Sequence, residues 1–232
     1  RLETVPDPEP GIGEAVVRIR SCGICATDYK AVKGIRRNVK FPFIAGHEPC
    51  GVVEKAGPGC QKARPGDRAI VYHITGCGVC DDCRHGYFIS CTGKKRAGYG
   101  WQRDGGHSAY LLAEENVLVA LPDNLSYEDG ALVACGFGTI WEALTRMNVS
   151  GADRLLVVGL GPVGLAAAML GKALGVRDVI GFDIVPERVQ LATDLGLVDH
   201  SFMNDADAFS RVMDLTGGKV VSIAAYRRND LE

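Results

Sequence analysis

Four cysteines crowd into one short segment, Cys77-Gly-Val-Cys80-Asp-Asp-Cys83 followed by Cys91, and this cluster constrains the fold more than any other feature of the chain. Four thiolates can close tetrahedrally around one metal ion. Such a site has no position left for substrate, and its binding free energy becomes folding free energy for the loop that supplies it. The spacing therefore predicts a structural zinc site, with a pair of disulfides or an iron–sulfur cluster as alternatives using the same residues. Disulfide frameworks belong mainly to small secreted chains. Here there are 232 residues, 47% of them hydrophobic, and the opening RLETVPDPEP is unlike a signal peptide. A cytoplasmic protein is expected.

Charge and hydropathy narrow the partners. A net charge of -2 argues against nucleic acid, and no apolar run approaches the ~18–20 residues that cross a bilayer. The pattern changes near residue 150. Before it, EAVVRIR (14–20), CGVVEKAG (50–57) and DRAIVY (67–72) read as short strands among Gly- and Pro-rich turns, predicting an irregular, mostly antiparallel β domain. From Tyr127 to Met147 the apolar spacing is helical. From Gly151 the pattern becomes α/β: strand RLLVV (154–158), a helix opened by Pro162 and closed by Gly175, strand DVIGFD (178–183), and a helix from Pro186 to Leu195 closed by Gly196.

The turn between the first of these strands and its helix is Gly159-Leu-Gly161-Pro162-Val163-Gly164, with Asp183 ending the next strand. A GxGxxG after an apolar strand, opening a helix, with an acid about 20 residues on, is the dinucleotide fingerprint. Its glycines let a pyrophosphate approach the helix N-terminus. A carboxylate at Asp183 would accept hydrogen bonds from a ribose 2′-hydroxyl and repel a 2′-phosphate, which favours NAD over NADP.

Three further segments hold metal-ligand chemistry: Cys22-Gly-Ile-Cys25-Ala-Thr27-Asp28, Gly46-His47-Glu48 and Ala134-Cys135-Gly136. Each is weak alone. Together, with the four-cysteine cluster between the second and third, the chain resembles the zinc-containing medium-chain alcohol dehydrogenases from its first residues to at least Leu195. The resemblance implies an irregular GroES-like β-barrel catalytic domain over 1–125, a helical boundary segment over 126–150 that contributes a zinc ligand, and a Rossmann doubly wound parallel sheet over 151–232. It also implies that Cys25, His47 and Cys135 bind a catalytic zinc, that Asp28 orients the ligand histidine, and that Glu48 is an acidic neighbour of the metal. Thr27 corresponds to the hydroxyl that relays the substrate proton, and Arg188 to a basic residue that contacts the adenosine ribose. Two zinc ions per subunit, NAD, a small-molecule alcohol or carbonyl substrate and a homodimer or homotetramer complete the expectation.

Two departures stand out. Many relatives continue the proton relay with a histidine where this chain has Lys30, which leaves the proton exit unassigned. A complete cofactor domain has six strands, and the sequence is clear for two, with a third near Val198–Met203. TGGKVVSIAAY (216–226) reads as one later strand, reached either across an internal deletion near Gly217–Lys219 or as a divergent fourth strand. The family's opening strand and its return to the catalytic domain have no counterpart, so the chain is expected to be truncated and to hold the adenosine end of the cofactor at best. The function expected is therefore hydride transfer between a primary or secondary alcohol, or a polyol, and NAD. The alternatives are a non-catalytic zinc- and nucleotide-binding fragment and an NADPH-linked carbonyl reductase. Cys22, Cys50 and Cys60 read as free thiols, and His73, His85, His107 and His200 have no motif.

Overall fold

The computed structural model describes residues 3–224, and contacts divide the chain into two units, Arg1–Cys135 and Gly136–Glu232. The division falls inside the segment 126–150, so its first helix groups with the first unit and its second with the other.

The first unit runs β1 (Glu14–Gly23), α1 (Ala26–Val32), β2 (Glu48–Ala56), β3 (Arg68–Val71), β4 (Ile74–Thr75), α2 (Asp81–Arg84), β5 (Ala97–Gly98), β6 (Tyr110–Glu114), β7 (Leu118–Ala120) and α3 (Tyr127–Leu132). Five strands form an antiparallel sheet in the order β6-β1-β2-β3-β7, while β4 and β5 pair separately. All three expected strands are present. Ala15, Val16 and Val17 are buried in succession, so β1 is covered on both faces rather than alternating. Its register against β2 shifts twice, between Val16 and Val17 and between Ile19 and Ser21, irregularities that bend a strand. The pairing nevertheless continues to Gly23 opposite Glu48, which ties the end of β1 to the start of β2. That tie is what later brings Cys25 and His47 together.

A polar cluster at Tyr99 penetrates this core. Tyr99 is fully buried, its hydroxyl donates to Glu114, and Arg103 pairs with the same carboxylate while lying 4.6 Å above the Tyr99 ring. Burial pushes the Glu114 pKa up, but Tyr99 and Arg103 outweigh it and hold the group below its usual range. A carboxylate with a depressed folded pKa contributes stability that is complete above the unfolded value of about 4.3. The contribution is lost as pH falls through the folded value. Glu114→Gln is therefore expected to cost about 1–3 kcal/mol at neutral pH, and the gap to the parent protein should narrow on acidification. Thermal unfolding followed across that range checks it; a gap that ignores pH would contradict the assignment.

The second unit runs α4 (Gly138–Arg146), β8 (Arg154–Val158), α5 (Pro162–Ala173), β9 (Asp178–Asp183), α6 (Pro186–Asp194), β10 (His200–Met203), α7 (Ala208–Thr216) and β11 (Val221–Ala224). All strand pairs are parallel, in the order β10-β9-β8-β11. Ile140, Leu144, Leu155, Val157, Ala166, Ala167 and Ala192 form one cluster. Leu156, Ile180 and Phe182 point to the opposite face and pack with Ala208 and Val212 of α7. The strands are thus covered on both sides, which is why they read as unbroken apolar runs. Four strands are described where the sequence was clear for two. The expected later strand is a fourth strand lying beside β8, joined to β10 through α7, and no connection is skipped; residues 225 and 226 of that segment lie outside the described residues. The helix α7 was not expected, because its buried stripe is Ala208, Val212 and Thr216, two of them small.

Candidate functional site

Cys25 and His47 lie just beyond the paired ends of β1 and β2. Gly46 has φ +97°, a backbone shape that disfavours any side chain, and a Cβ there would also stand 2.7 Å from the backbone nitrogen of His107. This turn aims the His47 ring inward, where the residue is 1% exposed. Cys25 precedes the first turn of α1, and Asp28, three residues on, accepts the Cys25 N–H at 2.9 Å. The other Asp28 oxygen accepts the Gly46 N–H at 3.1 Å and meets His47 Nδ1 at 2.9 Å. A carboxylate at Nδ1 holds the proton on that nitrogen and leaves the Nε2 lone pair free. Nε2 is buried and has no hydrogen-bond partner among the described residues.

The third segment arrives on a π-helical turn, Val133–Phe137, that carries Cys135. One donor atom each from Cys25, His47, Glu48 and Cys135 lies within 4.8 Å of all the others, separations that a single ion can bridge. A carboxylate, two thiols and an orphaned imidazole nitrogen are the donor chemistry of zinc, so the residues fit that ion. Their proton affinities show the same coupling. The neighbouring Cys135 and His47 groups draw the Cys25 thiol down to about 3, whereas the Cys25 contact and burial push Cys135 up. Burial opposes charge on His47, yet Asp28 and Cys25 raise it to about 9. Burial and the neighbouring Cys25 charge raise Glu48, whose carboxylate fills the space a side chain at Gly23 would occupy, with Oε2 only 2.0 Å from such a Cβ. Thr27 is half-buried beside Cys25 and Lys30 is exposed.

The second cluster gathers Cys77, Cys80, Cys83 and Cys91 within the same 4.8 Å limit. All nine cysteines are free, which excludes the disulfide alternative. The Cys77 and Cys83 sulfurs stand 3.9 Å apart, against about 3.8 Å for two corners of a tetrahedron with ~2.3 Å zinc–sulfur bonds. Backbone N–H groups stabilise the thiolate forms: Cys80 donates to Cys77 at 3.4 Å, and Gly93 donates to Cys91 at 3.3 Å. Such N–H groups, from Val79 and Cys80, lower Cys77 to about 6.

In the second unit, Gly159 and Gly161 lie in the turn from β8 into α5, and Pro162, Val163 and Gly164 open the helix. A Cβ at Gly164 would lie 1.7 Å from the Gly159 carbonyl oxygen, whereas one at Gly161 would meet nothing closer than Arg188 Nη1 at 4.0 Å. Gly164 is thus required by the protein itself, and Gly161 leaves space. Asp183 is 4% exposed; its oxygens accept the Leu160 N–H at 2.7 Å and the Val185 N–H at 2.9 Å, and Arg188 stands 3.6 Å away. The carboxylate is therefore also a fastener of the turn, a task the fingerprint alone does not reveal.

Sequence reasoning passed over His73 and Trp101. His73 Nδ1 donates to the Ala134 carbonyl at 2.9 Å, and both rings lie 5.7 Å from that of His47. Burial lowers His73 to about 4, which keeps it neutral at neutral pH. The one available signal was position: His73 follows directly on the DRAIVY strand.

Residues 11–123 match the family described as alcohol dehydrogenase GroES-like domain, and residues 162–225 match the zinc-binding dehydrogenase family. The zinc-type alcohol dehydrogenase-like protein YphC of Escherichia coli is 47% identical over 94% of this chain and 64% of its own length. An alcohol dehydrogenase of Geobacillus stearothermophilus is 32% identical over 98% of this chain and 67% of its own. The crystal structure of an NAD-dependent alcohol dehydrogenase superposes with a TM-score of 0.84 at 29% identity, covering 93% of this chain and 63% of that one. The chain thus spans about two-thirds of the proteins it matches. A GroES-like unit followed by a Rossmann-like parallel sheet, with both cysteine groups in the first unit, places the chain in the zinc-containing medium-chain alcohol dehydrogenase family.

Proposed function

We propose that this chain carries the zinc sites and the adenosine-binding half of an NAD-linked dehydrogenase acting on a primary or secondary alcohol or a polyol. The observation that carries the reading is the buried, partnerless Nε2 of His47, turned toward two cysteines by the Asp28 bond at Nδ1. A zinc ion held there would supply Lewis acidity at the substrate oxygen, and bound NAD would accept the hydride. Cys25, His47 and Cys135 are the ligands, Glu48 the acidic neighbour, and Asp28 keeps the imidazole in the ligating tautomer. Thr27, two residues from Cys25, takes the substrate hydroxyl proton, and exposed Lys30 leaves its onward path to water. Cys77, Cys80, Cys83 and Cys91 hold a second, structural zinc. Gly159 to Gly164 receive the pyrophosphate, with Asp183 and Arg188 at the ribose; the Asp183 charge favours NAD.

We further place the protein in a reducing compartment such as the cytoplasm, which its free thiols suit, and expect a homodimer or homotetramer. Among the described residues no helix is long and apolar enough to cross a membrane. The test is zinc content by mass spectrometry together with NAD reduction over a panel of alcohols. Two zinc ions are expected in the parent and one in His47→Ala, and any NAD reduction that the parent supports is expected to be lost in that variant. Unchanged turnover in His47→Ala or Cys25→Ala would falsify the zinc mechanism. Intact zinc without hydride transfer would favour the binding-fragment reading.

A further inference from the structure

The first unit contains a cavity of about 400 Å³ whose lining includes Arg36, Arg37, Arg96, His73, Trp101 and Gln102. Two of these, His73 and Trp101, are the residues whose rings flank His47, so the cavity wall and the zinc donors share their packing. We propose that this cavity selects an alcohol whose carbon chain also bears an anionic group, a phosphate or a carboxylate, held by Arg36, Arg37 and Arg96 while the hydroxyl reaches the zinc site. The inference rests on the dehydrogenase reading and names its substrate class.

The charge is concentrated locally and does not reflect a basic protein, since the chain as a whole carries -2. No Asp or Glu stands between Asp28 and Glu48, or between Asp82 and Asp104, the two stretches that supply all three arginines. Among the described residues, no carboxylate lies within ion-pair distance of any of them. Arg36 is half-buried with its guanidinium 4.1 Å over the buried Trp101 ring, which fixes its plane. Burial disfavours its charge, Asp28 and the thiols of Cys135 and Cys25 favour it in part, and the nearby Arg96 disfavours it. Arg96 spends its Nε on the Ile89 carbonyl at 3.0 Å, which leaves its terminal nitrogens to point elsewhere. Like charges held together, one of them desolvated and none in a direct ion pair with a carboxylate among the described residues, form a site that an oxyanion relieves. Guanidinium groups match phosphate and carboxylate oxygens through paired hydrogen bonds. A neutral alcohol would leave that charge uncompensated, so the cavity discriminates by charge as well as by shape.

Calorimetric titration of the zinc-loaded protein with glycerol phosphate, glycerate and glycerol tests the inference without needing turnover. Both anions are expected to bind more tightly than glycerol, and whichever binds better names the anionic group. Their affinity should fall with added salt and drop by about tenfold or more in Arg36→Gln and in the exposed Arg37→Gln. Zinc content and melting temperature of these variants are measured alongside. Anions that bind no better than glycerol overturn the proposal, as do anions that bind equally well to a folded Arg36→Gln/Arg96→Gln double variant. NAD reduction with the same three compounds separates the two readings. Arginine-dependent anion binding with no reduction of NAD favours the binding-fragment reading and keeps the anion site; reduction of NAD by neutral alcohols without anion binding keeps the dehydrogenase and removes the anion site.

Discussion

Cys83→Ala is expected to release one zinc equivalent and leave the segment between Gly76 and Gly93 without a fixed structure. Little else holds that segment. Its helix α2 has four residues, followed by a 3-10 turn at Phe88–Ser90, and Val79, Tyr87 and Ile89 are exposed. Phe88 alone among its large apolar side chains packs against the core clusters. The sulfurs instead occupy the centre, so closely that a Cβ at Gly76 would lie 2.5 Å from the Cys83 sulfur and one at Gly93 2.8 Å from Cys77 Cβ. Structural zinc sites in small peptides contribute apparent binding free energies of about 10–16 kcal/mol, far above what one partly buried phenylalanine supplies. Limited proteolysis should therefore cut Cys83→Ala within the loop while sparing the parent protein. Cys60→Ser is the control, since its thiol donates to the Glu14 carbonyl and belongs to neither cluster. Full zinc retention by Cys83→Ala would rule out the four-thiolate assignment.

The second large effect is expected at Gly164. With the Gly159 carbonyl oxygen 1.7 Å from the position of a new Cβ, Gly164→Ala cannot be absorbed by a rotamer change; α5 must move off β8. Forcing even a methyl into well-packed interior costs about 1–3 kcal/mol, and here the obstacle is backbone, so a loss above about 3 kcal/mol is expected, together with loss of NAD binding. Gly161→Ala provides the contrast, because nothing lies within contact of its Cβ except the end of Arg188 at 4.0 Å. That variant should melt like the parent and lose only cofactor affinity, since a methyl there occupies the room a pyrophosphate would use. Melting curves and fluorescence titration with NADH read the two outcomes separately. Equal melting temperatures for both variants would contradict the geometry of the turn.

Both motifs were legible because each is local. The four thiols and the glycine turn are contiguous in sequence, and their spacing alone implies a shape. β1, β2, β3, β8 and β9 were legible from apolar runs, since covered sheets leave an unbroken signal, whereas the short strands β4 to β7 were not read in the sequence. What escaped was assembled from distant segments or disguised by small residues. His73 and Trp101 reach His47 only after the sheet forms, and neither has a motif. The buried stripe of α7 is too small-sided to stand out. Asp183 was read as a ribose acceptor, yet its carboxylate also holds the Leu160 and Val185 N–H groups. Asp183→Ala would thus loosen the turn as well as alter the cofactor contact, and is a poor probe of NAD against NADP; Asp183→Asn keeps acceptor capacity while removing charge.

The pairing of Gly23 with Glu48 also bears on how such a protein can change its substrate. Chain leaves the sheet at one end of this pair and re-enters at the other, so the excursion between them is closed at its base. Closing a longer loop adds only about 0.6 kcal/mol per doubling of length. Residues around Arg36 and Arg37 can therefore be replaced, inserted or deleted at small cost, while Cys25 and His47 stay anchored at the stem. The stem that carries Cys25 and His47 and the excursion that carries Arg36 and Arg37 thus tolerate change in chain length to different degrees, although the Arg36 stack on Trp101 still links the excursion to the packing around His47.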